Sequence, residues 1–161
     1  MNGIDQGVWI INRTFQDYLD PKYNSLSAKL QLGTTGLQES KFIDRIQQPN
    51  GPAHSFWQME KGGAIHGVLK PGSIVLADVQ ALCAKLGVAP TEEAIYAAVI
   101  NNDILACGIA RLAYYCDPNP LPEVGDVDGA WRCYIRNWGP GKPKPLTWPG
   151  NYTAARRAFN V

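Results

Sequence analysis

The chain has 161 residues, 45% of them hydrophobic and 18% charged, which suits one globular domain with a core and excludes a disordered, collagenous or fibrous protein. No uncharged apolar run approaches the roughly 18 residues of a membrane span, and the N-terminus lacks the form of a signal peptide, so neither is expected. The formal charge is +1 but unevenly spread: Trp131 to Val161 holds six Lys/Arg and no Asp/Glu, leaving −5 on Met1 to Ala130.

Apolar residues recur mostly at helical spacing, and alternating β-type patterns are scarce, so the class is mainly α. Val8, Ile11, Phe15, Tyr18 and Leu19 mark one face of a first helix that Pro21 ends. Leu26, Leu30 and Leu37 indicate a second, weakened near its end by Gly33 and Gly36. Asn50 to Gly63 gathers glycines and prolines around His54, Ser55, Phe56 and Trp57, and reads as a loop or short hairpin carrying aromatics. Ser73 is placed to cap a helix through Leu86, with Ile74, Leu76, Val79, Leu82 and Leu86 inward and Gly87 as its stop. Thr91-Glu92-Glu93 opens a helix to about Ile100, and Asp103 to Cys116 a further one, small along Ala106, Gly108 and Ala110. After a Pro/Gly/Asp-rich connection, Ala130 to Trp138 forms a short helix with Trp131, Tyr134, Ile135 and Trp138 on one face. Gly139 to Pro149 is too proline-rich to be helical, and a last helix spans Tyr152 to Phe159. The basic, aromatic extension from about 131 reads as packed onto the same domain.

Several chemistries lack their residues. Cys83, Cys107, Cys116 and Cys133 are far apart with no C-x-x-C pair, His54 and His66 form no H-E-x-x-H, and the P-loop, G-x-S-x-G and G-x-G-x-x-G patterns are absent. No metal and no cofactor is expected. A thiol peptidase using Cys116 or Cys133 with His54 or His66 is a rival reading without a local signature.

Two carboxylates stand apart. Glu39 lies in Leu37-Gln38-Glu39-Ser40-Lys41-Phe42-Ile43, a helix end among apolar residues where desolvation favours the protonated acid. Glu60 closes Ser55-Phe56-Trp57-Gln58-Met59-Glu60 beyond the glycine-proline loop. An acid at a helix end facing a loop acid suits glycoside cleavage, in which one carboxyl protonates the leaving oxygen and the other activates water. Two glutamates flanking a loop also fit solvated surface acids, Glu60 pairing with Lys61 or Lys41.

Glu39-Ser40-x-Phe42, with Trp57-Gln58-Met59-Glu60 about twenty residues later, resembles the two signature blocks of goose-type lysozymes and soluble lytic transglycosylases. Cys107-Gly108-Ile109-Ala110 is similar to the helix that backs the cleft in that superfamily, and the loop around Gly51-Pro52-Ala53 with Trp138-Gly139-Pro140-Gly141-Lys142 resembles a group of its small phage proteins. The resemblance covers roughly Leu37 to Tyr115. It departs where Phe56 and Trp57 replace the usual Leu-Met and where Leu112-Ala113 replaces Tyr-Asn; Tyr114 or Tyr115 is the nearest hydroxyl.

The resemblance implies a lysozyme-like domain with an active-site cleft, acting as a muramidase on the β-1,4 bond of peptidoglycan. Glu39 is then the general acid and Glu60 the base, with Ser40, Ser55, Phe56, Trp57, Gln58, Tyr115 and Trp138 as substrate contacts, Trp57 foremost; His54 and Trp148 are further candidates. Alternatives within it are a lytic transglycosylase using Glu39 alone and a glycan-binding virion or tail component. It further implies a phage-encoded monomer whose partner is bacterial peptidoglycan, not nucleic acid or membrane, released through a host pore or carried in the particle. The six basic residues from Arg132 to Arg157 would suit attraction to that polyanionic wall, though nucleic acid or plain solvation accounts for them as well.

Overall fold

In the computed structural model, which describes residues 1–161, the first helix begins where the Asn2 side chain accepts a hydrogen bond from the Asp5 amide at 3.0 Å. Helix α1 (Gly3–Asp17) buries Ile10, Ile11, Thr14 and Phe15 on one face. Pro21 opens a short 3-10 turn, and Ser25 caps α2 (Leu26–Ser40) through the Ala28 amide.

Helix α2 continues through both glycines, because each admits an aromatic ring. A side chain at Gly36 or at Gly7 of α1 would collide with the Phe42 ring, and one at Gly33 would crowd Phe159, 3.1 Å away. The roughly 1 kcal/mol that glycine costs a helix interior is offset by this contact. Lys41 and Phe42 both adopt positive φ (55° and 54°), turning the chain sharply back so that Phe42 enters the seam between α1 and α2. That reversal leaves Glu39 at the mouth of the helix end.

Between α2 and the next helix there are no strands, only two isolated antiparallel bridges, Ile46 to His54 and His54 to Met59. They define a narrow loop whose tip, Ser55 to Gln58, is a turn closed by Gln58 N to Ser55 O at 3.0 Å. A kinked turn over Lys61–Ile65 then leads into α3 (His66–Leu69), a short helix that the glycine-rich sequence conceals.

Helix α4 (Leu76–Leu86) starts later than Ser73 implies. Ser73 instead steadies the preceding turn, Ile74 is 70% exposed rather than inward, and Gly87 ends the helix at φ +68° as expected. Thr91 caps α5 (Glu92–Ala98), and Asn102 caps α6 (Asp103–Tyr115), which is buried along its whole middle and packs on α1, α2 and α4. Gly108 lies flush against the Leu82 side chain of α4, the close approach that the small face of α6 allows.

Asp126 caps α7 (Val127–Trp138). Helix α8 (Trp148–Ala158) begins four residues before the expected Tyr152 because Pro149 sits in its first turn, where no amide donor is needed. Helix α8 packs on α2, and Leu30, Ala130, Tyr134, Trp148, Tyr152 and Ala155 form a second, smaller core beside the main one. No helix is long and apolar enough to cross a membrane.

Candidate active site

A groove of about 940 Å³ opens between two walls. One is built from the end of α2 (Gln38, Glu39), the end of α7 (Tyr134, Asn137, Trp138) and the segment Gly139 to Lys144; the other is drawn from residues 44–70, including Asp44, Gln58 and Glu60. Ala113 and Cys116 bring the end of α6 into the lining. Both carboxylates singled out in the sequence therefore face one concavity.

Their environments differ. Glu39 is largely withdrawn from water, and burial raises its carboxyl above the ordinary value of 4.5, against the opposing effects of a Tyr134 hydrogen bond and the Lys144 charge. The Tyr134 hydroxyl donates to Glu39 Oε1 at 2.6 Å. Burial, with the Glu39 charge as a second cause, pushes the Tyr134 phenol well up, so it remains a donor. With Oε1 occupied as an acceptor, a proton on Glu39 belongs on Oε2. Glu60 is solvent-exposed and has no ion pair: Lys61 turns instead to Glu93 at 2.8 Å, and Lys41 pairs with no acid.

Periodicity puts Tyr134 on an aromatic helix face, but 95 residues separate it from Glu39, and no local pattern links them. Its orientation depends on the anchoring of α7. Arg136 and Asn137 hold Asp117 at 2.8 and 2.7 Å, and with Asn119 their hydrogen bonds outweigh burial and keep the Asp117 carboxyl far below the usual range. In Tyr134→Phe, which keeps the ring stacked 4.9 Å from Trp148, the Glu39 carboxyl should titrate at still higher pH. Carboxyl-carbon NMR titration reads this directly, and an unmoved Glu39 would deny Tyr134 its tuning role.

Several expected substrate contacts are structural instead. Phe56 and Trp57 are 1% and 0% exposed: the positive φ values of Ser55 and Gln58 (73° and 50°) fold the tip inward, so these rings plug the core rather than present a platform. Trp57 Nε1 donates to the Leu32 carbonyl at 3.0 Å, and Arg45 covers the Phe56 face while pairing with Asp103. Ser55 is fully buried and accepts from the Trp57 amide. Ser40, also buried, donates to the Phe56 carbonyl at 2.7 Å and accepts from the Phe42 amide at 3.1 Å, which ties the loop tip to the helix end bearing Glu39.

Tyr115 stands outside the groove, edge-on to Tyr23, and Trp148 is buried in the smaller core. Tyr114 is buried too, its hydroxyl 2.7 Å from Thr35 Oγ1. His54 stacks on Tyr96 at 3.8 Å, leaving it no place in the groove. Of the residues expected at substrate, Gln58 and Trp138 do line it. Gln58 donates to the Ser55 carbonyl at 2.8 Å; Trp138 stacks on Tyr114 at 4.6 Å and donates Nε1 to the Trp57 carbonyl at 2.8 Å, joining the two walls.

Burial raises all four thiols, Cys107 to about 12 and Cys133 to about 11, and no cysteine hydrogen-bonds a histidine, which disfavours a thiol nucleophile. No group of three or more metal-ligating side chains converges anywhere in the chain. No family model, curated protein or solved structure matches the chain.

Proposed function

We propose that the protein cleaves the β-1,4 bond between the aminosugars of peptidoglycan, with Glu39 as general acid. The observation that carries this reading is a single desolvated carboxyl at a helix end, lining a groove that also holds Glu60 and hydrogen-bonded on one oxygen by Tyr134. Burial keeps the acid protonated at higher pH than a surface glutamate, and the Tyr134 bond leaves Oε2 free to deliver its proton to the glycosidic oxygen.

Glu60 is the base of this reading: exposed and unpaired, it is accessible to the water that attacks the sugar from the other face. Trp138 and Gln58 line the same groove, the Gln58 amide nitrogen being held by the Ser55 carbonyl. A phage lytic enzyme or virion component is the setting that fits such an activity.

The experiment is digestion of purified peptidoglycan by the whole chain, with mass spectrometry of the products. Reducing ends are expected, and their loss in Glu60→Gln would support the base. Products ending in 1,6-anhydro sugars, with Glu60→Gln fully active, would overturn the hydrolytic half of the reading and leave a transglycosylase with Glu39 alone. Absence of any cleavage would overturn the enzymatic reading itself.

A further inference from the structure

Of the six basic residues between Trp131 and Val161, only Lys142 and Lys144 line the groove. Neither ammonium has an ion-pair partner, whereas Arg136 is committed to Asp117. Both are exposed, yet the backbone that carries them is restrained. Pro140, Pro143 and Pro145 limit its conformations, and the Lys144 carbonyl accepts from Gln38 Nε2 and from Thr147 Oγ1, each at 3.0 Å. Gln38 in turn accepts from Asn151 Nδ2 of α8 at 2.8 Å. Thus the residue preceding Glu39 fixes the segment from which Lys144 acts.

A free cation beside Glu39 opposes the burial that keeps the acid protonated. An anion taking up that cation would remove the opposition, so the site is at its best as an acid when something negative lies along this rim. On the wall formed by residues 44–70, Asp44 and Glu60 would repel the same anion, whereas Lys70, exposed and also without an ion-pair partner, adds a third cation to the lining.

We infer that Lys142 and Lys144 form a rim that receives the stem-peptide carboxylates of a peptidoglycan strand and makes the groove select an acidic glycan over a neutral one. The inference rests on the proposed glycosidase reading and adds to it the chemical class of the substrate's flank. It narrows the role of the basic extension from a general attraction to two side chains.

The test uses the whole chain and peptidoglycan strands freed of attached polymers, with their carboxylates either intact or converted to methylamides. The wild type should prefer the intact strands by about five- to tenfold in kcat/KM at low salt. That ratio should fall toward one in K142Q/K144Q and at high salt, and persist in K142R/K144R. Calorimetric binding of both strand types to E39Q separates the two readings. Discrimination in binding without turnover by the wild type would overturn the glycosidase but uphold the rim. Equal turnover and equal binding of both strands, or a preference surviving in K142Q/K144Q, would overturn the rim while leaving the glycosidase standing.

Discussion

Replacing Glu39 by glutamine should lower peptidoglycan cleavage by about 10²- to 10⁴-fold, the contribution ordinary for a positioned general acid, without unfolding the chain. Glutamine keeps the shape and still accepts from Tyr134, but carries no transferable proton. The stability profile gives a second readout. Because the folded protein holds the Glu39 proton more tightly than the unfolded chain, this residue's stabilising contribution is present below the ordinary value of 4.5 and is lost as pH rises through the raised folded value. Glu39→Gln should therefore match wild type in acid and exceed it in thermal midpoint near neutrality, as calorimetry at several pH values would show. Activity of the wild type should fall on the alkaline side as Glu39 gives up its proton. A variant with undiminished turnover would remove Glu39 from the chemistry altogether.

Trp57→Ala should act on stability, by about 3–5 kcal/mol, as expected for emptying a fully buried aromatic site. For a chain of this length that lowers the thermal midpoint by roughly 10 °C or more. The loss combines the edge-on contact with Phe42, the bond to the Leu32 carbonyl and the burial of the indole itself. Residual activity at low temperature should show a nearly unchanged KM, since the ring does not line the groove. A raised KM with intact stability would restore Trp57 to the role of a sugar platform.

Trp57 illustrates what sequence pattern conveys and what it does not. An aromatic pair in a glycine-rich segment has the composition of a recognition loop, and its direction is set by left-handed backbone at Ser55 and Gln58, which neither residue type announces. Apolar periodicity made α6 legible to within a residue of its end, and in α1 it picked out the buried Ile11 and Phe15 while missing Ile10 and including the half-buried Val8. Gly33 and Gly36 look like breakers until Phe42 and Phe159 are seen against them. Pro149 looks like a barrier, yet it starts a helix. Glu39 was readable as a desolvated acid from its apolar neighbours alone. Tyr134 was not readable as its partner, because long-range pairing leaves no trace in local spacing.

The gap between those two residues has a consequence in time. The 95 residues from Glu39 to Tyr134 take a ribosome roughly 5–20 s to add at ordinary elongation rates. Throughout that interval the nascent polypeptide holds the carboxyl but lacks its phenol, the indole of Trp138 and both rim lysines. Whatever reactivity the finished molecule has is thus withheld during translation and arrives only once the later helices have emerged and docked.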